Sequence, residues 1–214
     1  MTPLQLDTHT TLHVRPIEPT DRGALATAFA RLGSSSRMRR FLGPKHELSE
    51  RELSYLTELD HETHEALVAL DGEDIVAVAR YAAWPSDSRE SAELAMVVLD
   101  SWQRRGIGLA LTAQVIARAA GNGFCRLTAT TFGDNLPSRA LLGRLGFEPA
   151  SSGDGLVSYE LGLPAAHRRR PAPGEPVRPL MRLGEIAAEI AIRRPGRKRH
   201  AGAPPTEQAG FAEL

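Results

Sequence analysis

Residues 93–111 read ELAMVVLDSWQRRGIGLAL, and the fold turns on their order. An apolar run from Leu94 to Leu99 has the make-up of a strand. It passes through Asp100 and Ser101 into Gln103-Arg104-Arg105-Gly106-Ile107-Gly108, then into the helix formers Leu109, Ala110 and Leu111. A strand that enters a glycine-bearing turn and leaves as a helix gathers backbone N–H groups around an anion. Glycine suits such a turn because, without a Cβ, it tolerates positive φ and lets a phosphate approach the backbone. A Gly-x-Gly pair alone marks an ordinary turn. The specific signal is Gln103 placed three residues before Gly106, with a strand before it and a helix after.

Upstream, residues 12–17 alternate apolar and polar as a first strand. Glu18-Pro19-Thr20-Asp21 stops it and opens a helix over 21–32, whose Leu25, Phe29 and Leu32 share a face, with Gly33 as its C-terminal cap. A short basic segment, Arg37-Met38-Arg39-Arg40-Phe41-Leu42, closes at Gly43-Pro44. Ser49 and Glu52 then have capping-box spacing ahead of a stripe formed by Leu53, Leu56 and Leu59. Residues 66–70 and 75–81 flank Asp71-Gly72-Glu73-Asp74 as a hairpin, and 86–89 form a loop before the central strand.

Downstream of the glycine turn, a helix over roughly 108–120 stops at Gly121-Asn122-Gly123, and a β-branched strand follows at 126–131. Pro137 suits the first turn of a helix that ends at Gly146. Segments 147–149 and 156–163 pair as the last strands. The order β–α–α–α–β–β–β–α–β–α–β–β predicts an α/β (α+β) fold, a mixed sheet of about six to seven strands flanked by helices on both faces.

The 214 residues balance to a formal net charge of zero, but the charge is unevenly spread. Residues 1–164 hold 16 Lys/Arg against 21 Asp/Glu, and residues 165–214 hold 10 against 5. This predicts a domain over 1–164 and a basic Pro/Gly/Arg-rich tail over 165–214. The tail is too poor in core residues to offset ordering entropy and is expected to be disordered, with a short helix near 180–193 carrying Leu183, Ile186, Ala187 and Ile190. Its arginines have no interleaved aromatic residues, so nucleic acid is not the expected partner.

No apolar run reaches membrane-span length and no secretory signal opens the chain, so the expected compartment is the cytoplasm. The single cysteine, Cys125, permits neither an internal disulfide nor a metal cluster, and it reads as a core residue ahead of a strand. His61 and His64 lack a third ligand and read as surface histidines. Trp84 and Trp102 are expected in the core or at loop bases.

A second motif follows the first by one helix and one strand: Asn135-x-x-Ser138-x-x-Leu141-x-x-x-Leu145-Gly146-Phe147. Together the two motifs resemble those of the GNAT N-acetyltransferase superfamily, from the first strand to about Pro164. The resemblance implies that acetyl-CoA is the acyl donor; with no third ligand beside His61 and His64, no metal is expected. The turn from Gln103 through Arg104, Arg105, Gly106, Ile107, Gly108 and Leu109 would hold the pyrophosphate. Main-chain groups at Met96, Val97 and Val98 would pair with the pantetheine amides by strand addition. Asn135 would contact the pantetheine arm, and Ser138 would lie near the phosphates.

Segments 32–44 and 92–108 further resemble bacterial protein-lysine acetyltransferases of this superfamily. In that group a glutamate matching Glu93 is the general base. A base is needed because a lysine amine of pKa ≈ 10.4 is neutral in only about one part in 2,500 at pH 7, a cost of about 4.6 kcal/mol. Strand alternation sets Glu93 on the side of Ala95 and Val97, and partial burial would raise its pKa toward a useful range. Leu142 stands where many relatives carry a tyrosine general acid. The arginines of 37–41 lie on the acceptor side, either attracting an acidic acceptor or forming a solvated helix face. The expected acceptor is a protein lysine. The alternatives are a small amine, or a non-catalytic role as an acyl-CoA sensor.

Overall fold

The computed structural model describes residues 2–6, 10–83 and 90–164. Trp84, the loop at 86–89 and the tail at 165–214 with its predicted helix lie outside the described residues. The chain folds as β1 (Thr2–Gln5), β2 (Thr11–Pro16), α1 (Arg22–Arg31), α2 (Ser34–Phe41), α3 (Glu50–Thr57), β3 (His64–Asp71), β4 (Asp74–Ala83), β5 (Ser91–Val98), α4 (Ile107–Gly121), β6 (Arg126–Phe132), α5 (Leu136–Arg144), β7 (Glu148–Gly153) and β8 (Leu156–Gly162). One eight-stranded sheet runs in the order β1-β2-β3-β4-β5-β6-β8-β7. It is antiparallel except where β5 meets β6. The strand beyond the expected seven is β1, a short edge strand registered on β2 from Thr2 opposite Val14 to Gln5 opposite Thr11. Its four residues carry too little alternation to be read locally.

The sheet separates two layers. Antiparallel register puts Glu93 opposite Ala82, Ala95 opposite Arg80 and Val97 opposite Val78, so these six side chains share a face with His64, Ala66 and Val68 of β3. Phe29, Leu32 and Leu53 of α1, α3 and their connection are buried in the same core. The other face carries Leu67, Ala69, Tyr81 and Leu94 and is covered by Leu111, Val115 and Ala119 of α4. Phe124 stacks edge-on against Tyr81 there, with ring centroids 5.2 Å apart. Phe124 takes the core place expected of Cys125, which is exposed at the foot of β6. His64 also departs from expectation. Its position on the inner face of β3 leaves it 1% exposed beneath Tyr55. No described helix is long and apolar enough to cross a membrane.

Local chemistry sets the element ends. Ser49 accepts from Glu52 N–H while Glu52 accepts from Ser49 N–H, which is the reciprocal capping box predicted for α3. Gly72, at φ 61°, supplies the positive φ that the two-residue loop between β3 and β4 requires.

Ahead of α1, Arg15 grips Asp21 with two hydrogen bonds of 2.7 Å each. That contact and the Glu18 N–H hold the Asp21 carboxyl below the usual aspartate range against the opposing effect of burial. A depressed acid contributes its stabilisation above the unfolded pKa and loses it as pH falls through the folded one. Asp21→Asn should therefore cost about 1.5–3 kcal/mol at pH 7. The difference from wild type should shrink below the ordinary aspartate range, as urea unfolding at both pH values would report.

Candidate active site

The site arises where the sheet splits. β5 and β6 pair over only three residues each, Ser91–Glu93 against Arg126–Thr128. Beyond Glu93, β5 continues to Val98 without a partner on that edge, while β6 stays zipped to β8 up to Phe132. A cleft of about 390 Å³ opens between them, floored by β5 and closed by the start of α4 and by α5. Leu99 N–H donates to the Val76 carbonyl at 2.9 Å, which fixes the alternation of the β4–β5 ladder. By that alternation the main-chain groups of Met96 and Val98 face the gap. Those of Val97 turn toward β4, so Val97 meets the cleft only through its side chain.

The two glycines of the turn do different work. Gly106 lies at φ 83° with open space around a would-be Cβ, so its need is conformational. Gly108 is buried. A Cβ there would lie 2.6 Å from Met96 Cε and 3.2 Å from Leu141 Cδ1, so its need is close packing of α4 on β5 and α5. Arg104 also takes a left-handed backbone, φ 63°, which costs a side-chain-bearing residue roughly 1–2 kcal/mol. α4 has no side-chain cap, and its first intrahelical bond runs from Ala110 N–H to the Gly106 carbonyl. The preceding N–H groups, Gly106 to Leu109, point outward as an anion cradle.

Gln103 braces this turn, donating to the Val98 carbonyl at 3.1 Å. Asp100 ties the turn to α2 by accepting from Gly33 N–H at 2.8 Å and Ser36 Oγ at 2.6 Å. Burial pushes the Asp100 carboxyl up, but those two donors and its own N–H together hold it low. Arg105 donates to the Ser101 carbonyl, lies 4.8 Å from the centroid of Trp102, and does not line the cleft.

At the far end of the cleft stands Glu93. Burial pushes its carboxyl above the ordinary glutamate range, and the charges of Arg40 and Arg80 pull the other way. Arg40, half-buried at the end of α2, is itself held down at about 10 by burial and by Arg80, with Glu93 and Tyr55 opposing. On α5, the Asn135 amide donates to Thr131 Oγ1 at 3.0 Å and to Ser138 Oγ at 2.8 Å. Its carbonyl caps the helix at Ser138 N–H. Both amide hydrogens are thus used within the protein, and only spare acceptor capacity remains for a ligand. Leu142 is 5% exposed, and no tyrosine, histidine or cysteine lines the cleft among the described residues.

A half-open strand edge, a cradle of N–H groups and a buried carboxyl in one cleft suit a thioester carried on a long amide-bearing arm with a phosphate tail. Comparison with known proteins agrees: the model of the Acetyltransferase (GNAT) family matches residues 35–147. The chain belongs to the GNAT acetyltransferase family. It is 29% identical over 164 residues to Acetyltransferase Pat of Mycolicibacterium smegmatis, covering 76% of this chain and 49% of that protein. This chain therefore spans about half the length of that relative. The GNAT domain of S. lividans PAT superposes with a TM-score of 0.71 at 26% identity, covering 76% of this chain and 96% of that one. The yncA acetyltransferase of Salmonella typhimurium, solved with its cofactor acetyl-CoA, shares the fold at a TM-score of 0.56 and 18% identity, covering 76% and 98% of the two chains.

Of the residues expected from sequence, this GNAT cleft gathers Glu93, Met96, Val97, Val98, Gln103, Arg104, Gly106, Ile107, Gly108, Leu109, Asn135 and Ser138, and leaves Arg105 outside. It also gathers residues that sequence reasoning did not assign. Ser36 comes from α2 and Arg144 from the last turn of α5, beside Arg39 and Arg40 of the basic segment expected on the acceptor side. The helical spacing of Arg144 from Leu141 was a usable signal, but nothing local indicates that the end of α5 faces the cleft.

Proposed function

We propose that this GNAT domain transfers an acetyl group from acetyl-CoA directly to a primary amine, with Glu93 as general base. The observation that carries the reading is the split between β5 and β6, which puts the open strand edge, the N–H cradle and Glu93 along one cleft. The exposed edge at Met96 and Val98 would complete its ladder with the amides of the pantetheine arm. The N–H groups of Gly106 to Leu109 would hold the pyrophosphate, with Arg104 supplying charge at the rim. One of the strand N–H groups facing the gap, at Met96 or Val98, would polarise the thioester carbonyl.

Glu93 takes the amine proton as the nitrogen attacks. With Leu142 where an acid could stand, the sulfur leaves as thiolate, a tolerable leaving group at a thiol pKa near 8.5. Cys125 is exposed and does not line the cleft, which favours a ternary complex over an acyl-enzyme. The likeness to Acetyltransferase Pat, together with segments 32–44 and 92–108, favours a protein lysine as acceptor.

Incubating the chain with labelled acetyl-CoA, lysate proteins and a panel of small amines tests this. Label on protein lysines is the expected result. Label confined to small amines would transfer the reading to that acceptor class. Binding of acetyl-CoA with no transfer to any acceptor would leave the sensor role.

A further inference from the structure

A second cavity, of about 50 Å³, lies behind α2 between the helical layer and the sheet. Its walls are apolar, including Phe29, Phe41 and Val78, except for two arginines, Arg40 and Arg80. The cavity shares Arg40 and Val97 with the cleft. Arg80 is 2% exposed. One of its terminal nitrogens donates to His64 Nε2, which requires a neutral imidazole, and burial followed by the charge of Arg80 holds His64 well below its usual range. The guanidinium lies 4.9 Å from the centroid of Tyr55. Its Nε and Nη1 are buried without a hydrogen-bond partner, and neither Arg80 nor Arg40 forms an ion pair among the described residues.

We propose that Arg40 and Arg80 form a carboxylate subsite for the far end of the donor's acyl chain, so that short acyl-CoA thioesters ending in a carboxylate are substrates beside acetyl-CoA. One buried and one half-buried cation line this small cavity, and the single carboxyl that acts on both, Glu93, forms no ion pair with either among the described residues, which leaves room for a second anion. Water would accept their hydrogen bonds without answering their charge, whereas a carboxylate does both. The volume suits a few water-sized groups, the scale of a short carboxyl-tipped chain. Position selects the donor over the acceptor. Cavity and cleft share Val97 and Arg40 in their walls, and Val97 lies on the strand that would hold the thioester. Glu93, beside which the acceptor amine must sit, lines the cleft and not the cavity.

The chemistry of transfer is unchanged. The amine nitrogen bonds to the thioester carbon, the C–S bond breaks with its electron pair going to sulfur, and Glu93 takes the proton. The terminal carboxylate passes intact to the product. This inference rests on the acyl-CoA reading of the cleft.

Its test is equilibrium binding of acetyl-CoA, succinyl-CoA and butyryl-CoA to the full chain, with CoA release measured for each. Succinyl and butyryl have equal carbon counts and differ in the carboxylate. Succinyl-CoA should bind about 10- to 150-fold more tightly than butyryl-CoA, and Arg80→Leu should bring that ratio near one. Arg40→Gln, at a half-buried site, should reduce the same ratio and serves if Arg80→Leu does not fold. Equal affinities in the wild-type chain would overturn the subsite while leaving acetyl transfer in place. Failure of acetyl-CoA itself to bind would sink the acyl-CoA reading instead. If an amine bearing a carboxylate, such as glycine, binds in an Arg80-dependent way and succinyl-CoA shows no preference, the subsite belongs to the acceptor and the proposal is wrong.

Discussion

Glu93→Gln should lower the rate of acetyl transfer by about 10²–10⁴ while acetyl-CoA still binds, since the amide keeps the shape of the side chain and cannot take a proton. The position explains the size of the effect. Glu93 stands at the last paired step of β5 on β6, opposite Ala82, on the face toward α1, α2 and α3. No histidine or tyrosine lines the cleft to replace it among the described residues. The pH dependence has a defined sign. Burial raises the Glu93 pKa, so the working carboxylate is lost as pH falls through a value above the ordinary glutamate range. The kcat/KM profile should carry this acidic limb in the wild type and lose it in Glu93→Gln. A variant with full activity, or an unchanged acidic limb, would remove Glu93 from the role.

The second large effect is expected at Gly108. A valine there brings its Cβ to within 2.6 Å of Met96 Cε and 3.2 Å of Leu141 Cδ1, and adds two methyl groups beyond it. Met96 can swing its flexible end aside, so an alanine should be tolerated. The extra bulk of valine is added where Leu141 and Val98 already stand 3.2 and 3.6 Å from the Cβ. Overpacking of this kind costs about 1–3 kcal/mol. Part of that strain is relieved by lifting the first turn of α4 off the strand, which moves the N–H cradle. Gly108→Val should therefore weaken acetyl-CoA binding at least about tenfold, the equivalent of ~1.4 kcal/mol, and lower the unfolding midpoint. Titration calorimetry beside thermal unfolding checks both. Unaltered affinity in a folded Gly108→Val protein would detach the turn from the ligand.

The local features of the fold are legible in the sequence. The strand, turn and helix of 93–111 follow from residue types a few positions apart, and so do the capping box at Ser49 and the hairpin at Gly72. The side of the sheet that Glu93 occupies follows from alternation alone. The remainder depends on register between distant strands. Nothing near Arg80 in the chain indicates that it will stand opposite Ala95, two residues from Glu93 on the same face. His64 looks like a loop histidine until β3 is seen to begin there, and Cys125 looks apolar until Phe124 takes the core. The Gln103 amide reads as a phosphate ligand, yet in the fold it braces the carbonyl of Val98.

The short ladder between β5 and β6 also has a thermodynamic consequence. Three residue pairs are all that stitch the five-stranded half of the sheet to the three-stranded half, apart from the helices that lie against them. A thioester arm laid along the open edge would act as a ninth, removable strand, splinting the two halves together. Donor occupancy and global cohesion are then one equilibrium. At a hundredfold excess over its Kd, such a ligand adds ~2.7 kcal/mol to unfolding. The amides of β5 beyond Glu93 would be where hydrogen exchange slows first.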